Sequence, residues 1–207
     1  HYQVGEFNAA WTLIEPFEDN YQQYPNVARL MGYLLLALNR KESAEPVLLF
    51  AAKHFPEDTD TILTAARLII EKHETSFKEL PGKNLDDVSE ILEKAIELNQ
   101  QTDSIKLHLA DINRLKGNYQ NALDLYKELS NKIGNQKSSG NWRLGYGLGK
   151  TAISMGEFEM GLAALQDAGS IQPENLLILH GLVEGYQSAN LSSKADELAQ
   201  ASLKLAP

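Results

Sequence analysis

Cysteine is missing from all 207 residues, which removes disulfide frameworks, thiolate zinc sites and cysteine nucleophiles together. Basic residues are scarce: 19 Lys and Arg stand against 28 Asp and Glu, for a formal net charge of -9. That balance repels phosphate backbones and argues against general nucleic-acid or anionic-membrane binding. No apolar run is long enough to span a bilayer, and no charged segment followed by an apolar core opens the sequence. The remainder, 43% hydrophobic and 23% charged, is the composition of a chain that folds in water.

What the sequence does contain is a repeat. A small-residue column runs Ala10, Ala44, Val88, Ala122, Gly161, Ala195, in steps of 34, 44, 34, 39 and 34 residues. The two long steps become 34 once insertions of 10 and 5 residues are removed. Four residues after each member lies a second column, Ile14, Leu48, Leu92, Tyr126, Leu165, Ala199. Five residues before the first lies a turn column, Gly5, Asn39, Lys83, Gly117, Gly156, Asn190, rich in the two residue types that accept a positive φ where a helix stops. Three first helices carry a large residue, a small one and then a further packing residue: Met31-Gly32 with Leu35, Leu148-Gly149 with Ala152, and Leu182-Val183 with Tyr186. Pro56, Pro173 and Pro207 recur just past the second helix, where proline ends it.

These columns resemble the tetratricopeptide repeat family over essentially the whole chain. Gly117-Asn118-Tyr119-Gln120-Asn121-Ala122 and Gly156-Glu157-Phe158-Glu159-Met160-Gly161 carry the resemblance most fully. It departs at the first-helix Trp, since Trp142 lies three residues early, and at Gln100 and Gly134, which replace the closing proline. The resemblance implies an all-α fold, an α-α superhelix or solenoid of antiparallel hairpins. The phase lays it out as one array over 1–207, with a half repeat over 1–24 and full repeats starting near Pro25, Thr59, Asp103, Trp142 and Leu176. Insertions are expected near Glu74 to Lys83 and Lys137 to Asn141, the second within a flexible loop from Gly134 to Gly140. By the same phase His1 to Val4 are the last turn of a first helix, which implies at least one more helix before residue 1. Gly145, Gly147 and Gly149 predict that the first helix after Trp142 is the softest, at roughly 1 kcal/mol per glycine relative to Ala.

Catalytic chemistry finds no purchase. Gly145-Tyr146-Gly147-Leu148-Gly149-Lys150-Thr151 imitates a phosphate-binding loop, but Leu144 stands where its first glycine belongs and the run lies mid-helix. His180 and Glu184 sit one turn apart without a third ligand. No nucleophile elbow or dinucleotide fingerprint occurs, so the sequence predicts no enzyme, no cofactor and no metal.

In the family the first helices line a concave groove. Carrying that phase over implies a peptide- or partner-binding set of Arg29, Tyr33, Arg67, His108, Arg114, Arg143, Tyr146 and Lys150. The wider groove face carries five basic residues and four acidic ones (Asp60, Glu71, Asp111, Glu184), a net +1 that leaves -10 for the rest of the chain. Arg forks onto carboxylates and Tyr offers stiff contact area. The implied partner is a protein or peptide bearing carboxylates, with no nucleic acid and no membrane span. Tyr33, Thr64 and Asp111 occupy positions where the family's carboxylate clamp wants Lys and Asn, so that specialised form is not implied. Two functions remain: a scaffold or adaptor, or the regulatory or docking region of a larger protein.

Overall fold

The structure is a computed structural model and describes residues 4–76, 82–98, 102–133 and 141–204. Among these residues every regular element is helical: α1 (Val4–Ile14), a 3-10 helix (Glu15–Gln23), α2 (Pro25–Ala37), α3 (Lys41–His54), α4 (Thr59–Thr75), α5 (Lys83–Glu97), α6 (Asp103–Leu115), α7 (Tyr119–Ile133), α8 (Trp142–Ser154), α9 (Phe158–Ile171), α10 (Leu176–Ser188) and α11 (Ser192–Leu203). The fold is an all-α array of helical hairpins. Consecutive helices such as α2 and α3, α8 and α9, and α10 and α11 pack on one another. The chain divides into two compact units, His1–His108 and Leu109–Pro207, with the division inside α6.

One local device ends four of the first helices. Asn39, Gly117, Gly156 and Asn190 take φ values of 58°, 78°, 82° and 58°. Each donates its N–H three residues back, and the next residue donates five back: Arg40 to Leu35 at 2.8 Å, Asn118 to Asn113 at 2.8 Å, Glu157 to Ala152 at 2.9 Å and Leu191 to Tyr186 at 2.8 Å. These bonds satisfy carbonyls that the helix end would leave open, and the reversal they impose starts the second helix. The other two turn positions differ. Lys83 opens α5, and Gly82 takes the turn before it. Gly5 lies in the first turn of α1 rather than between helices, while His1–Gln3 lie outside the described residues.

Packing follows from the two columns. Ala44, Val88, Ala122 and Ala195 are buried, as are Leu48, Leu92, Tyr126 and Leu165. Small first-helix residues receive them: a Cβ on Gly32 would lie 2.5 Å from Leu48 Cγ, and one on Gly149 would lie 2.8 Å from the Gly161 carbonyl oxygen. Gly145 meets Ala164 O at 3.1 Å by the same test. The glycines of α8 therefore serve close helix approach, which offsets the propensity cost expected of them. In the first unit the buried Glu45 accepts from Lys72 Nζ at 2.6 Å and Asn84 Nδ2 at 2.7 Å, which ties α3, α4 and α5 together.

Elsewhere prolines set the breaks. α1 stops at Ile14 because Pro16 has no N–H for the Thr12 carbonyl, and a 3-10 helix continues the chain. Pro56 and Pro173 stand two residues beyond α3 and α9. α4 absorbs the start of the first insertion by running to Thr75. The expected loop at Gly134–Gly140, Gln100 and Pro207 lie outside the described residues.

Candidate functional site

The first unit holds an open pocket of about 610 Å³, lined by Arg29, Tyr33, Asp58, Asp60, Leu63, Thr64, Arg67 and His108. α2 supplies Arg29 and Tyr33, the N-cap of α4 supplies Asp58, α4 supplies Asp60 to Arg67, and the first half of α6 supplies His108. One wall is a hydrogen-bonded chain. Asp58 accepts from Thr61 N at 3.2 Å, Thr61 Oγ1 at 2.8 Å and Arg29 Nη1 at 3.0 Å, and the Tyr33 hydroxyl lies 3.1 Å from Thr61 Oγ1. Partial burial pushes the Asp58 carboxyl up, but the Thr61 and Arg29 hydrogen bonds together win and hold it below its usual value. The Arg29 guanidinium also lies over Phe55, 5.1 Å from the ring centroid. Arg29 and Asp58 thus neutralise each other and hold the pocket wall in shape.

Asp60 and Arg67 are different. Both are exposed, both line the pocket, and neither makes a hydrogen bond or ion pair within the described residues. His108, half-buried, has Nδ1 2.7 Å from the Ser104 carbonyl oxygen, which fixes its ring along α6.

In the second unit charge converges inward instead. Asp111 is 2% exposed and accepts from the Tyr126 hydroxyl at 2.6 Å and Arg143 Nη2 at 3.0 Å, with Arg114 Nη2 at 3.9 Å. Arg114, 8% exposed, lies over the Tyr146 ring, itself 6% exposed, at 5.5 Å from the centroid. Burial, then the Asp111 charge, push the Tyr126 phenol well above 10.0, its ordinary value. Lys150 pairs with Glu184, which also has His180 Nδ1 at 3.7 Å.

No protein-family model and no curated protein sequence matches the chain. Solved structures do. A tetratricopeptide repeat protein from Parabacteroides merdae superposes with a TM-score of 0.65 at 13% identity, over 98% of this chain and 73% of that one. MamA superposes at 0.57 and 18% identity, over 84% of this chain and 94% of its own. MamA from Desulfovibrio magneticus gives 0.62 at 15% identity, over 87% and 94%. The fold is that of tetratricopeptide-repeat proteins.

Within that tetratricopeptide fold the eight residues singled out in the sequence separate by unit. Arg29, Tyr33, Arg67 and His108 meet in the first unit's pocket. Arg114 and Tyr146 are buried, so they support the second unit rather than face a ligand. Arg143 and Lys150 are engaged by Asp111 and Glu184. Sequence reasoning overlooked the Asp58–Thr61 network, although Asp58 one residue before a helix start is a recognisable N-cap signal. It also overlooked that Tyr126 stands in a column of Leu and Ile, where a buried hydroxyl demands an acceptor.

Proposed function

We propose that this chain is a non-catalytic interaction scaffold that captures a segment of another polypeptide in the first unit's pocket. The observation that carries the reading is the meeting of α2, α4 and α6 side chains around one open pocket in which Arg67 has no partner among the described residues. Tyr33 supplies a stiff aromatic wall, Leu63 an apolar floor, and the guanidinium of Arg67 a fork for a carboxylate. A carboxylate-bearing partner is favoured here over the second unit, where Asp111 and Glu184 already hold Arg143 and Lys150.

Selection of peptides from a random display library against the whole chain tests this. Selected peptides should bind Tyr33→Ala and Arg67→Glu variants at least tenfold more weakly, while reversing Glu90 and Glu93 on α5 leaves binding unchanged. Peptides that ignore both pocket variants and respond to the α5 reversals would remove the assignment.

A further inference from the structure

We infer that the pocket recognises a bipolar segment: an extended, polyproline-type stretch with one acidic and one basic side chain three residues apart. The inference rests on the first unit's pocket being a peptide site and concerns what the site selects. Asp60 and Arg67 lie seven residues apart on α4, so they share a face and stand about 10 Å apart along its axis. Leu63 and Thr64 lie between them on that face and line the same pocket. Neither charge is satisfied within the described residues, whereas the neighbouring Arg29 and Asp58 satisfy each other. A purely acidic ligand would gain Arg67 and meet Asp60 as a repulsion, so the pocket complements opposite charges in one ligand.

Spacing selects the ligand's backbone. A polyproline-type segment has three residues per turn and rises about 3.1 Å per residue, which puts side chains three apart on one side at about 9 Å. A pleated strand instead puts side chains two or four apart on one side, at about 7 or 13 Å, and neither matches. A helix brings two side chains to that separation on one side only at seven residues, across two turns, and so not at three.

Titration of the intact chain with capped synthetic peptides, followed by NMR shifts of pocket amides, tests the inference. The reference is Ala-Lys-Pro-Pro-Glu-Ala, compared with its charge-reversed order, with two-Glu and two-Lys versions, and with Lys and Glu two or four apart. The mixed-charge peptide of three-residue spacing, in its better order, should bind about fivefold tighter than any peptide lacking one charge, the most that a single exposed ion pair supplies. Asp60→Asn and Arg67→Gln should each erase that preference, and Arg67→Glu should transfer it to the two-Lys peptide. If the two-Glu peptide binds as well as the mixed one and Asp60→Asn changes nothing, the bipolar inference fails while the pocket stands. If no peptide shifts the pocket amides, or Arg67→Gln leaves every affinity unchanged, the peptide-site reading fails with it.

Discussion

Replacing Tyr126 by Phe should destabilise the second unit by about 2 kcal/mol, the worth of a hydrogen bond to a buried charge. The ring keeps its seat against Gly147, so no cavity forms, and the loss falls on the hydroxyl's hydrogen bonds, one from Arg114 and, chiefly, the 2.6 Å bond to Asp111 Oδ1. Without it that oxygen has only Arg114 Nη2, at 3.9 Å, while Arg143 stays on Oδ2. Urea unfolding followed by helical circular dichroism reads the change at pH 7. The pH profile supplies a second reading. In the fold the Tyr126 phenol keeps its proton well above 10.0, whereas in the unfolded chain it ionises near that value. Its contribution is therefore complete below about pH 10 and is lost as pH rises through the folded value. The gap between wild type and Tyr126→Phe should be constant from pH 7 to about 9 and shrink above about 10. A loss under about 0.5 kcal/mol at pH 7, or a gap that widens in alkali, would refute a buried phenol-carboxylate bond as the stabilising element.

Gly147→Ala should cost about 2 kcal/mol in the same assay despite the helix-propensity gain of roughly 1 kcal/mol, because the new Cβ falls 2.4 Å from the Tyr126 ring that Asp111 holds in place. Gly156→Ala, with open space around it but φ at +82°, should cost only about 1 kcal/mol of backbone strain; equal losses at the two sites would contradict the packing account. Asp58→Ala should cost the first unit about 1 kcal/mol by removing the α4 cap. Because the folded Asp58 carboxyl sits below its ordinary 3.8, that contribution is present above about pH 4 and is lost as pH falls through the folded value. Acid titration of unfolding should show the variant and wild type converging below about pH 4.

The hairpins were legible in the sequence because their requirements are local. A helix that must reverse within two residues needs a backbone with positive φ, and Asn39, Gly117, Gly156 and Asn190 advertise it. Lys83 does not accept that conformation readily and instead opens α5, preceded by Gly82 at an ordinary φ of -68°. Packing was legible for the same reason: Gly32 and Gly149 stand where Leu48 and Leu165 need room. The 3-10 segment after α1 needed only the consequence of Pro16 carried one step further.

The first-helix positions of the candidate residues were legible in the sequence, but their pairing was not. Tyr33, Arg67, Asp111, Lys150 and Glu184 occupy one position of successive repeats, so the phase gives each the same side of its own first helix. Pairing, however, runs between different positions. Arg143 reaches Asp111 from about two turns earlier in the next first helix, and Asp111 is buried there beside Tyr126, whose hydroxyl donates to it. Of the five basic groove candidates, Arg29, Arg143 and Lys150 have acidic partners of their own and Arg114 is buried. The net +1 counted over the first-helix positions therefore overstates the field they offer, since a charge already neutralised contributes little at a distance. The first unit's pocket presents Arg67 and Asp60, a cation and an anion of equal standing, so under the bipolar proposal discrimination comes from their spacing rather than from the charge excess counted along the chain.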